Sequence, residues 1–401
     1  MGQIVGLPTL NAILTKFNIG SNKHQKDYKS LCKDLSVNVI RKLFEHIFEL
    51  HIVEVLKQMG LKESSCWSKD LVTVILDDSI FRQWLDNQSA TADFERYYGL
   101  FFSGQYGAAV YGFKVVCLGV CIDGVMYPLY FDFVKKVAKT AKVAKVAKVA
   151  KVAKTAKVAK VAKVVAPSIE VAIKLVQRFG NLRKRLANEG LKFPKFHFSC
   201  DSGYNERTLG STCEANDLIY ISVPKKPHLF EIDSVKRKLS DWIEKDFIQA
   251  EKKHQEKEKD LPEKEKTPFT LRIQAKYCSQ ENKDVILLAF RLNHSNKISV
   301  IYCTDKHIFA KTLRRHWFER TYIEQFFKML KHVLKIQNAN VQNKDDFEIK
   351  LLRFAFVAWH AQKLVRFLRT KMKAFHTKGF IALQRILNSD KQFLDLLQSL
   401  I

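Results

Sequence analysis

Four acids and three cations are spaced so that they can act together. Asp77 and Asp78 close the apolar run 71–76, Asp201 closes the run 193–200, and Glu324 lies in the stretch 314–336, RRHWFERTYIEQFFKMLKHVLKI. In a helix of about 100° per residue, Arg320, Lys328 and Lys331 fall within about 40° of Glu324. Ile323, Phe326, Phe327, Leu330, Val333 and Leu334 make up the apolar side of that helix. A solvated helix face laced with i,i+4 ion pairs has the same spacing, so the stretch alone assigns no function. The other acids change the weighing. Strand ends in an open α/β sheet converge on one edge. Three carboxylates delivered by two strands and a helix suit a two-metal phosphoryl-transfer site. Hard divalent cations take oxygen ligands, and a pair about 3.5–4 Å apart stabilises both the attacking and the leaving oxygen.

The elements that must position these residues read as α/β. LVTVILDD (71–78) is a continuous apolar run of strand length ending in two acids, as expected of a buried strand. Residues 108–133 read as two strands joined at Asp123-Gly124, a hairpin signal. A helix is expected over 169–187, with Ser168 as its N-cap and Pro167 just outside. FPKFHFSC (193–200) runs as a strand into Asp201, ERTLGSTCEAND is a short helix, and LIYISVPKK (218–226) is a buried strand. Residues 236–266 are dense in mixed charge and read as an exposed helix and linker. Three alternating segments between 270 and 305 then form an antiparallel β run ahead of the Glu324 helix. Helices are expected over 39–59 and 347–375, and a short one closes the chain. The expected organisation is a helical N-terminal region (1–70), a first core part (71–226) containing a lysine-rich loop (135–166), a charged helix and β insertion (227–305), the rest of the core (306–375) and a C-terminal helix (376–401).

The charge points to a polyanion. The net charge is +27, and removing the eleven lysines of 135–163, a segment without acids, still leaves +16. A basic excess of this size favours nucleic acid or an acidic membrane surface. No apolar run reaches the roughly 18 residues of a spanning helix and no secretory leader is read, so nucleic acid is the expected partner and no membrane is. The eight cysteines include no C-x2-C pair and read as reduced thiols. The KVA/KTA repeat advances about 300° per unit, so its lysines circle the whole helix circumference and no apolar face forms. It reads either as a phosphate tether or as an expanded repeat tolerated in a surface loop.

On these residues the chain resembles the DDE transposases of bacterial insertion sequences, in the branch whose helix signature is Y-x2-R-x3-E-x6-K. The match is Trp317-x2-Arg320-x3-Glu324-x6-Lys331, with Trp in place of Tyr. LDDS and CDSGY match the segments around the first and second Asp. The resemblance covers about residues 70–365. It implies a ribonuclease-H-like catalytic core interrupted by a mainly β insertion, with Asp77, Asp201 and Glu324 as catalytic metal ligands and Asp78 as the alternative to Asp77. It further implies two Mg2+ or Mn2+ ions, with Arg320, Lys328 and Lys331 on DNA phosphates. The partners implied are DNA, both element ends and target, and a second copy in a DNA-bound homodimer, in the cytoplasm at the bacterial nucleoid. Trp242 in the insertion is open to two readings, stacking on an unpaired base or packing in a core. The competing functions are a nuclease of the same fold without strand transfer, and an inactive or domesticated DNA-binding derivative.

Deleting residues 138–163 discriminates the two readings of the lysine repeat. A tether gives weaker non-specific DNA binding and a shallower dependence of log K on log salt. An unchanged slope in filter-binding titrations marks a tolerated expansion.

Overall fold

The computed structural model describes residues 36–58, 72–82, 96–103, 107–122, 124–136, 166–191, 195–262, 267–292, 297–338, 341 and 343–371. The lysine repeat, except its first two and last residues, and the expected C-terminal helix lie outside the described residues.

In chain order the first elements are α1 (Val37–Gln58), β1 (Val72–Arg82), β2 (Tyr98–Ser103), β3 (Ala108–Ile122) and β4 (Val125–Phe133). They are followed by α2 (Pro167–Asn188), β5 (Phe196–Cys200), α3 (Arg207–Ala215) and β6 (Leu218–Ser222). A hairpin of β7 (Leu229–Ile232) and β8 (Val235–Lys238) precedes α4 (Leu239–Trp242), a π turn (Ile243–Phe247) and α5 (Ile248–Lys257). Strands β9 (Thr270–Tyr277), β10 (Lys283–Arg291) and β11 (Ile298–Cys303) lead into α6 (Ala310–Glu319), α7 (Thr321–Lys328), a π turn (Met329–Val333) and α8 (Lys344–Lys371).

All described strands join one mixed sheet, ordered β2-β3-β1-β5-β6-β11-β10-β9-β7-β8, with β4 also paired to β3. Within it β3 pairs antiparallel with both β1 and β4, and β1, β5 and β6 are parallel. The segments between 270 and 305 extend this same sheet, because β11 pairs antiparallel with β6. Helices cover both faces of β5. Phe196 meets Phe179 of α2, while its neighbour His197 stacks on His316 of α6. Successive side chains of a strand point to opposite faces, so α2 and α6 lie on opposite sides. Double coverage explains why residues 72–76 of β1 and all of β5 are buried without alternation.

Three expectations are corrected. β1 does not end at its acids but runs four residues further, paired to β3 as far as Arg82↔Gly112. The 15-residue β3 keeps supplying hydrogen-bond partners there, and Ile80 and Phe81 return to the core. α2 starts at Pro167 with Ala166 as its N-cap and no side-chain cap, so Ser168 does not cap it. Proline suits the first helical position, where its fixed φ is helical and no N–H is needed. Residues 235–238, within and beside the expected charged helix, form β8, reversed from β7 through Asp233 and Ser234 at φ 50° and 64°. Two positive-φ residues make a tight hairpin turn whose twist matches the strands.

The main core joins the sheet to α1, α2, α7 and α8. Within it Phe48 of α1 packs edge-on against Trp359 of α8, and Arg41–Glu348 and Arg178–Glu45 ion pairs tie α1 to α8 and α2. Trp242 is 1% exposed and is part of this core, so its ring is not offered to a base. A second, smaller cluster under α6 includes Ile286, Leu288, Phe290 and Leu313. None of the six described cysteines is in a disulfide. Among the described residues no helix is long and apolar enough to cross a membrane.

The close approach of β1 to β3 leaves no room at Gly112, where a Cβ would lie 2.2 Å from the Phe81 carbonyl oxygen. Gly112→Ala therefore destabilises the fold by about 1–3 kcal/mol, measured as a lower urea midpoint at unchanged m-value.

Candidate active site

The parallel register of β1 and β5 brings the first two acids together. The pairing runs from Thr73↔His197 to Leu76↔Cys200, so Asp77 and Asp201 are the next residues on neighbouring strands. For β1 this is not a strand end against β3, but it is where pairing with β5 stops. Asp201 leaves the sheet as the N-cap of a 3-10 turn (Ser202–Tyr204) and accepts a hydrogen bond from Gly203 N.

The third acid arrives on the helix that crosses this edge. The stretch 314–336 is not one regular helix. Its hydrogen-bond ladder breaks at Arg320 between α6 and α7, and a π turn follows at Met329–Val333. The apolar side is as expected, with Ile323, Phe326, Phe327, Leu330 and Leu334 all buried. Arg320, 14% exposed, lies between two acids: Nη1 is 3.3 Å from Asp77 Oδ2 and Nη2 is 2.7 Å from Glu324 Oε1. Its guanidinium also sits 4.9 Å from the Trp317 ring centroid, a cation–π contact any aromatic at this position can supply. Lys331 packs its ammonium 5.3 Å from the Phe81 ring, while Lys328 is exposed.

Asp77 and Asp78 part company. As consecutive strand residues they face opposite sides of the sheet, and Asp77 is the one that meets Arg320. Asp78 accepts a 2.6 Å hydrogen bond from the Tyr204 hydroxyl and an ion pair from Lys114 at 3.1 Å. Neither Tyr204 nor Lys114 was singled out by sequence reasoning. Lys114 had a signal, being the one charged residue in the apolar strand β3. Tyr204 lies inside the CDSGY segment, where attention rests on its acid.

The electrostatics of the site are set first by burial. Burial pushes the Asp77 carboxyl up to about 7; Arg320 opposes the shift, and Asp78 and Asp201 add to it. Burial lowers the Lys331 ammonium to about 8, against the pull of Asp78 and Asp77. The donors are carboxylates, the chemistry a hard divalent cation prefers, and an added cation would relieve the crowded charge. Among the described residues no three His, Cys, Asp or Glu side chains already stand close enough to hold one ion. Arg320 occupies the space between Asp77 and Glu324.

No family model matches the chain, and no curated protein is similar to it in sequence. Among solved structures, a piggyBac transposase synaptic complex with hairpin DNA, determined by cryo-electron microscopy, is a distant neighbour. The likeness has a TM-score of 0.34 at 10% identity and covers 82% of this chain. The chain spans 56% of that neighbour's length.

The raised Asp77 pKa sets a sign for stability against pH. Unfolded, the carboxyl titrates near its ordinary 3.8; folded, near 7. Between these values the folded state holds a proton that the unfolded state has released. The stabilisation is therefore complete below the lower value and is lost as pH rises through the upper one. Asp77→Asn removes this dependence, and its stability relative to the parent rises by more than about 1 kcal/mol between about pH 5 and pH 8 in metal-free urea titrations.

Proposed function

We propose that the chain is a DNA transposase that uses two-metal carboxylate chemistry on a ribonuclease-H-like core. The observation that carries this reading is the meeting of Asp77 and Asp201 at one sheet edge, faced by the helix of Arg320 and Glu324. The strand order β4-β3-β1-β5-β6 supports it. So do the helices α2 and α3 between the parallel strands.

In this reading Asp77, Asp201 and Glu324 would hold two Mg2+ or Mn2+ ions, which supply charge stabilisation to the attacking and leaving oxygens. Asp78, already committed to Tyr204 and Lys114, steadies the strand beside them. The reaction is hydrolysis of a phosphodiester at an element end. Water oxygen joins phosphorus, the P–O3′ bond breaks, and the leaving oxygen takes a proton to become a 3′-OH. That hydroxyl then attacks a phosphodiester of target DNA in line. Positioning and charge carry such a reaction without a covalent enzyme intermediate.

The cations have distinct parts. Arg320 exchanges a carboxylate for a DNA phosphate as substrate enters, freeing Glu324. Lys331, held in an apolar setting that disfavours its charge, gains a counter-ion from the phosphate. Exposed Lys328 extends the contact along the backbone. The DNA-bound unit is a homodimer, acting in the cytoplasm at the nucleoid.

Glu324→Gln tests the assignment. Mg2+-dependent cleavage of DNA carrying the element ends falls by at least about 100-fold, while binding in gel-shift titrations is retained. Undiminished cleavage by the variant sinks the three-carboxylate site. Capture of the cut 3′-end in a target plasmid separates a transposase from a nuclease, and a parent chain that binds without cutting is a DNA-binding derivative.

A further inference from the structure

A second polar group lies below the carboxylates on the same side of the sheet. Thr73 and His316 are fully buried and Glu319 is 8% exposed. The Thr73 hydroxyl donates to Glu319 Oε2, and Thr73 Oγ1 stands 2.6 Å from His316 Nδ1. A hydroxyl has one proton to give. With that proton directed at the Glu319 carboxylate, the short contact to His316 requires Nδ1–H to donate to Oγ1. The His316 ring is further held by stacking on His197 at 4.0 Å between centroids and 22° between planes, while its Nε2 has no hydrogen-bond partner.

The placement of this group gives it a role. Thr73 lies four residues before Asp77 on β1, on the same face, a separation of about 13 Å along the strand. His316 lies eight residues before Glu324, about 12 Å along the helix. Strand and helix thus meet twice, once at Thr73 with His316 and Glu319, and once where the long Arg320 side chain, paired with Glu324, reaches Asp77. The upper contact is made by long side chains, one of them 39% exposed. The lower one is dry and made by a short side chain with few rotamers.

We propose that Thr73 is a positioning residue. Its hydroxyl, through Glu319 and His316, sets how far along β1 the helix lies and so holds Glu324 and Arg320 opposite Asp77. This rests on reading Asp77 and Glu324 as one site. Valine at 73 keeps the shape but removes the buried hydroxyl that ties β1 to Glu319 and His316, which keep polar contacts within their own helix, 3.5 Å to each other and 3.8 Å from Glu319 to Arg315. Serine keeps the hydroxyl and loses a methyl.

The test compares Thr73→Val, Thr73→Ser and the packing control Ile75→Val in the full chain by two measurements. In native-state hydrogen exchange, Thr73→Val speeds exchange of amides in 316–328 by about tenfold or more, while Thr73→Ser and Ile75→Val leave that segment within about threefold. In DNA cleavage with Mg2+, Thr73→Val lowers kcat by about tenfold or more at unchanged KM, and Thr73→Ser restores it. Unchanged exchange in Thr73→Val, or equal damage from serine and valine, overturns the proposal. Absence of cleavage by the parent chain sinks the catalytic reading alone, and the exchange measurement still decides whether Thr73 holds the helix.

Discussion

The parallel pairing of β1 with β5 is the constraint on which the site depends. It places Leu76 opposite Cys200, and the acid that follows each of them has nowhere to go but the same edge. Each strand is buried up to that point and loses its burial there. The carboxylates therefore sit at the boundary between a medium that disfavours their charge and a surface that a ligand can reach. The displaced titration of Asp77 follows from that boundary position more than from any single neighbour, since burial is its largest cause.

A helix has to close this edge without covering it. Ile323, Phe326 and Phe327 anchor α7 in the core, and Phe327 meets Phe81 where β1 continues past its acids. The extension of β1 to Arg82 is thus part of the site's support, because it gives the helix an apolar floor on the far side of Asp77. With the helix held on both sides, Arg320 falls between Asp77 and Glu324 and supplies, among the described residues, the positive charge in contact with both. A phosphate chain and cations would compete for the same carboxylates and the same guanidinium, which is the physical content of the proposed reaction.

Much of this was legible beforehand, for reasons that can be named. The runs at 71–78 and 218–226 were recognisable as strands because doubly covered strands need no alternation, and 193–200 by its alternation into Asp201. The apolar side of the Glu324 helix followed from its period. Other features left weak marks. The end of β1 was misplaced because two acids look like a strand terminus, whereas hydrogen bonding to β3 carries the strand on. β8 was missed because VKRK has the charge of an exposed helix, and its strand pairing is decided by the turn at Asp233-Ser234. Thr73, His316 and Glu319 are unremarkable singly and 243 or more residues apart in pairing, so no local pattern links them.

The sequence by itself determined most of the elements, the basic excess and the candidates Asp77, Asp78, Asp201, Glu324, Arg320, Lys328 and Lys331. Those depend on period, length and charge, which are local properties. Only the tertiary structure decided which candidates share a face. It turned Asp77 toward Arg320 and Asp78 toward Tyr204 and Lys114, set Arg320 between two carboxylates, and left Lys328 exposed. Which of two adjacent acids faces a helix depends on register between segments more than a hundred residues apart, and register is a property of the packed sheet.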